Sequence, residues 1–83
     1  MTTAKTNAGY KIIAESSKQT AEGTAGVVLA YKDKQYIGRE FVTWEFNEFP
    51  GEARSYFWGH YTCNEQAARE DFNDRAARMF GRC

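Results

Sequence analysis

Residues 41–61, from Phe41 to Tyr61, read FVTWEFNEFPGEARSYFWGHY. Two aromatic strands are expected here, joined by a Pro-Gly turn. Pro50 presets its own φ and Gly51 supplies the positive φ that a type II turn requires. A strand sends alternate side chains to opposite faces. In the first strand Val42, Trp44 and Phe46 therefore share one face, and Phe41, Thr43 and Glu45 share the other. The second strand, Arg54 to Thr62, is aromatic on both alternations. A glycine leaves room for a neighbouring indole, which puts Gly59 on the Trp44 face with Phe57 and Tyr61. Tyr56, Trp58 and His60 then point outward beside Phe41 and Glu45.

Downstream of this stretch the period changes. Ala68, Phe72, Ala76 and Phe80 recur every four residues, with Ala67 and Met79 widening the stripe. That spacing predicts one amphipathic helix from Asn64. Thr62 and Glu65 have the spacing of a capping box, and Asn64 is the rival N-cap. Glu65, Glu70, Asp71 and Asp74 lie early, Arg75, Arg78 and Arg82 late, as the helix dipole favours. Gly81 is the expected stop.

Upstream, residues 1–9 are polar and small and read as a disordered tail. Tyr10 to Glu15 is a short strand. Ser16 to Gly26 reads as a loop, Val27 to Lys32 as a strand, and Lys32 to Gln35 as a tight turn. Tyr36 to Asn47 returns as a long strand, with Gly38 marking a bulge. The expected fold is α+β, ββββα: a four-stranded antiparallel β-meander with one C-terminal α-helix packed on the Trp44 face. Residues 10–83 make one domain.

Composition removes several functions. Eleven Lys and Arg balance eleven Asp and Glu, so the chain lacks the cationic excess of a general nucleic-acid binder. His60 is the only histidine, and the two cysteines, Cys63 and Cys83, lie far apart in sequence. A tetrahedral zinc site or a nucleophile with its base and orienting carboxylate is not expected from such a set. No catalytic residue, metal ligand or cofactor is therefore assigned. The N-terminal residues form no apolar signal region and no apolar run could span a bilayer, so a cytoplasmic protein with free thiols is expected.

A single helix covers one sheet face. The other is expected to be an exposed aromatic patch, of the kind that marks a partner surface. Phe41, Tyr56, Trp58 and His60 would anchor it, with Arg39, Glu45 and Arg54 at its rim. A foreign protein, a second copy and the Ser16–Gly26 loop are the three candidates to cover it. A single-stranded nucleic acid is a further alternative, disfavoured by the zero net charge.

The segment Tyr56-Phe57-Trp58-Gly59-His60-Tyr61-Thr62, followed by Ala67-Ala68, Asp71-Phe72 and Arg75, resembles small proteins of bacteriophages and mobile elements. The likeness spans residues 36–80. Size and sheet-plus-helix layout also resemble anti-CRISPR proteins, phage-encoded inhibitors that bind a CRISPR effector. That resemblance implies a non-enzymatic inhibitor acting in the host cytoplasm on a host protein complex such as a CRISPR effector. No family motif maps residue by residue, so no functional residue is carried over. The alternative in a different class is a homodimeric structural or regulatory module.

Overall fold

The computed structural model describes residues 6–36 and 38–80. Five strands and one helix follow in chain order: β1 (Thr6–Asn7), β2 (Tyr10–Gln19), β3 (Thr24–Lys34), β4 (Gly38–Glu48), β5 (Ser55–Thr62) and α1 (Glu65–Phe80). The strands pair antiparallel in the order β1-β2-β3-β4-β5. The meander and the C-terminal helix are as expected, but the sheet has five strands rather than four. The extra strand comes from the presumed tail. Ala8 and Gly9 both take positive φ (54° and 84°), the signature of a two-residue type I′ turn, and Asn7 pairs with Tyr10 across it. Residues 1–5 lie outside the described set.

Two further boundaries move. Ser16 to Gln19 is strand rather than loop, because β3 supplies a continuous ladder from Val27 to Thr24. The reversal is confined to residues 20–23, where the Thr20 hydroxyl accepts from the Gly23 amide at 3.1 Å. Gly26 is required at its position: a Cβ there would lie 2.4 Å from the Ser16 carbonyl oxygen and 2.7 Å from the Phe46 ring. Gly38, with φ 84°, begins β4 after the β3–β4 reversal instead of bulging within the strand. The Pro50-Gly51 turn forms as read, with Gly51 at φ 79° and the Glu52 amide donating to Phe49 O at 3.0 Å.

The helix begins at Asn64. Its Oδ1 accepts from the Ala67 amide at 3.0 Å, so Asn64 is the N-cap and the Thr62–Glu65 box does not form. The Thr62 hydroxyl instead accepts from the Asn64 amide. Ala68 is buried and Phe72 half-buried along the inner stripe, whereas Ala67 is exposed. The side chains of Met79 and Phe80, and all of residues 81–83, lie outside the described set.

The helix covers the opposite face from the one expected. Ala68 packs with Leu29 and Phe41, joined by Ala14, Tyr31 and Phe72. Its polar neighbours complete the contact: Asp71 meets Thr43, and Arg75 approaches Glu45 at 3.7 Å.

The Trp44 face is covered by the sheet itself. The sheet curls into a half-barrel, and Tyr10 of β2 meets Tyr61 of β5 with ring centroids 6.0 Å apart. Trp44 sits edge-on to both, at 5.6 and 6.2 Å, and Tyr56 closes its other side at 5.6 Å. Such ring pairs each contribute about 0.5–1.5 kcal/mol beyond their burial. Val28, Ala30, Val42 and Phe46 lie beneath. The face without the helix thus carries a second core around Trp44, with Tyr61 at its margin still 54% exposed.

Candidate functional site

The pairing of β4 with β5 breaks between Thr43 and Glu45. Thr43 stands opposite His60 and Glu45 opposite Phe57, so Trp58 and Gly59 together face Trp44. This is a β-bulge, one extra residue on β5. Trp58 takes φ 55° to make it. The bulge resets the alternation. Tyr56 and Tyr61 fall on the Trp44 face, while Phe57 and His60 fall on the helix face. The outward set read from unbroken alternation, Tyr56 with Trp58 and His60, is therefore split. The reading of Gly59 holds: a Cβ there would lie 2.7 Å from Trp44 Nε1.

The seven residues read as a partner surface separate accordingly. Arg39 sits at the far end of β4, bonded to Asp33 at 3.1 Å and stacked 4.4 Å over the Tyr31 ring. Phe41 lies in the core under α1, with 3% exposure. Glu45 is half-buried and faces Arg75. Arg54 lies 3.9 Å over Phe46 and bonds Glu48 and Glu15, each at 2.9 Å. Burial alone would lower its pKa, but those two carboxylates outweigh it and raise it, keeping the guanidinium charged. Tyr56 is half-buried beside Trp44 and Phe46. Only Trp58 and His60 are both exposed and close together on β5. Trp58 is 70% exposed, touching Phe57 edge-on at 5.1 Å.

His60 is held from behind. Its Nδ1 lies 3.0 Å from Asp71 Oδ2, and the same oxygen accepts a short hydrogen bond from the Thr43 hydroxyl. Arg75 Nε stands 3.5 Å away. Burial pushes the Asp71 pKa up, but Thr43, His60 and Arg75 together outweigh it, and the carboxyl lies below its ordinary value. Thr43, Asp71 and Arg75 were not legible as a group. The signal was the i, i+4 spacing of Asp71 and Arg75, one step round from the apolar pair Ala68 and Phe72. An acid and a base on the inner stripe call for polar partners in the sheet, and Thr43 and Glu45 are the central polar residues of β4's helix face.

The chemistry of this group is positional. Asp71 bridges Thr43 and His60, no hydrogen bond joins the imidazole to the Thr43 hydroxyl among the described residues, and Thr43 is fully buried. The nucleophile-to-base contact of a hydrolytic triad is not made. Among the described residues, no three His, Cys, Asp or Glu side chains are grouped to hold a metal ion.

What remains open is the outer edge of β5. Among the described residues it is the last strand of the sheet and pairs with β4 alone. From Ser55 to Asn64 the sequence has no Asp, Glu, Lys or Arg. No helix of the described residues is long and apolar enough to cross a membrane. No family model matches the chain, and no curated protein or solved structure is significantly similar to it.

Proposed function

We propose that this chain is a non-enzymatic binding protein that docks a protein partner on the β5 edge, with Trp58 as the anchor. The reading rests on one observation: an indole 70% exposed at φ 55°. A bulge of the G1 kind places a residue in that backbone conformation, and glycine adopts it without strain. An L-residue there costs about 1–2 kcal/mol. Protection of the sheet edge would be served by glycine as well. Among the described residues Trp58 makes one aromatic ring contact, with Phe57, and tryptophan is among the residue types most enriched as interface anchors.

A protein partner is favoured over a nucleic acid, because the arginines nearest the edge are engaged: Arg54 by Glu15 and Glu48, and Arg75 beneath the helix. A second copy is the rival occupant, since an uncharged edge strand invites pairing. The bulge argues against it, as kinked edges resist strand addition. In its specific form the proposal follows the resemblance to phage inhibitors, and the partner is a host defence complex such as a CRISPR effector.

The test is biolayer interferometry of the wild type and Trp58→Gly against purified effector complexes of the host. Loss of about thirtyfold or more in Trp58→Gly, the hot-spot threshold, supports the proposal. Equal binding by the two removes Trp58 as anchor, and no binding to any effector removes the specific form. Light scattering on the free protein decides the homodimer.

A further inference from the structure

The structure assigns α1 the role of a lid, which lifts off the sheet as one unit while the sheet stays folded around Trp44. The two sheet faces have separate cores. Tyr10, Val28, Ala30, Val42, Trp44 and Phe46 form the core away from the helix, and none of these residues lies on α1. Side chains hold the curl of the sheet from edge to edge: Tyr10 meets Tyr61, and Arg54 bonds Glu15 at 2.9 Å. The sheet therefore has a core of its own to keep when α1 leaves.

The core beneath α1 takes little from the helix. Ala68 is its one buried apolar residue among those described, with Phe72 and Ala76 half-buried. The next turn of the inner stripe carries a cation instead. The Arg75 side chain is 2% exposed, and its Nε and Nη1 are buried without a hydrogen bond among the described residues. Asp71 Oδ2 and Glu45 Oε2 stand 3.5 and 3.7 Å from these nitrogens, beyond ordinary hydrogen-bond length. Docking thus takes a guanidinium out of water without returning all its bonds, and lifting gives them back. That cost opposes the gain from Ala68 and Phe72. The hinge is short, since only Cys63 and Asn64 separate β5 from α1. The Asn64 cap on the Ala67 amide travels with the helix. Lifting breaks the contacts of Asp71 with Thr43 and His60 but no rung of the sheet, and it uncovers Leu29 and Phe41.

Native-state hydrogen exchange on the full chain, read by NMR in rising urea below the unfolding transition, tests the lid. After correction for intrinsic rates, the α1 amides are expected to exchange at least about tenfold faster than those of β3 and β4, a gap of about 1.4 kcal/mol. They should share one urea slope, smaller than that of global unfolding. Rates and slopes equal to those of β3 and β4 overturn the inference. So does exchange with no urea slope, which is local fraying. Tyr10→Phe removes the Glu40 bond on the Trp44 side. It is expected to speed exchange in β3 and β4 about fivefold and leave α1 unchanged; α1 speeding up in step overturns the lid. Glu45→Gln with Arg75→Met removes the buried cation and one carboxylate facing it. This double variant is expected to slow α1 exchange about tenfold. Equal or faster exchange shows that the cation holds the helix down, and overturns the inference as well.

Discussion

Glycine and alanine at position 58 separate backbone strain from lost contacts. Both substitutions remove the indole, which is 70% exposed and buries little on folding. Both also remove the edge-on contact with Phe57 at 5.1 Å, worth about 0.5–1.5 kcal/mol. These losses cancel between the two variants. What differs is φ 55°. Alanine keeps the Cβ and its left-handed penalty of about 1–2 kcal/mol. Glycine sheds the penalty but gives up about 0.5–1 kcal/mol in greater unfolded-state entropy. Trp58→Gly is therefore expected to be more stable than Trp58→Ala by about 0.5–1 kcal/mol. For a domain of this size that is roughly 2–8 °C in Tm. Urea and thermal unfolding followed by far-UV circular dichroism read the difference directly. If Trp58→Ala matches or exceeds Trp58→Gly, the left-handed bulge is not strained. The indole is then not kept there against the interest of the fold.

Three further outcomes follow from the same geometry. Gly59→Ala puts a Cβ 2.7 Å from Trp44 Nε1 and 2.9 Å from Tyr61 Cε1, with Trp44 wedged between Tyr10 and Tyr56. It should cost roughly 1–3 kcal/mol in urea unfolding, and a change near zero would show that the ring cluster can shift freely. The Tyr10 hydroxyl donates to Glu40 at 2.6 Å, and that bond, then burial, pushes its pKa up to about 12. A raised pKa means its stabilisation is whole below pH 10 and lost as pH rises through 12; Tyr10→Phe should flatten this part of the alkaline stability curve, and an unaltered curve would count against the bond. Asp71 has the opposite sign: its stabilisation is present above its ordinary value near 3.8 and lost as pH falls through the lower folded value. Asp71→Asn should flatten the acid arm and destabilise at neutral pH by about 1–3 kcal/mol, because Arg75 loses a partner; an acid arm identical to wild type would refute the assignment.

Much of the fold was legible because local chemistry and tertiary structure agree there. The Pro50-Gly51 turn, the antiparallel order and the Ala68–Phe72 stripe each follow from one short-range rule. Strand ends were less legible. Ser16 to Gln19 is small and polar, and nothing in those four residues announces a strand. They are strand because Val27 to Thr24 offers them a ladder, which is information held elsewhere in the chain. The first strand was hidden for the same reason. Two residues after a polar leader carry no pattern, and only Ala8-Gly9, read as a turn, could have exposed them.

The candidate site failed to read for a different reason. Alternation along β5 is a parity argument, and one extra residue reverses every assignment beyond it. Gly59 is legible because its constraint is local: space for Trp44. Tyr56 and His60 could not both be right, since they lie on either side of the bulge and were assigned by unbroken counting. The same bulge that defeats the counting also supplies the functional argument. A fold governed by stability alone would put glycine where φ is 55°, and one governed by solubility alone would put a charge on an open edge. This edge has neither. It presents an indole in a left-handed conformation two residues from an imidazole in contact with Asp71, the carboxylate that Thr43 also bonds. Local rules broken together at one point, with intact structure on both sides, are the pattern expected of a contact surface.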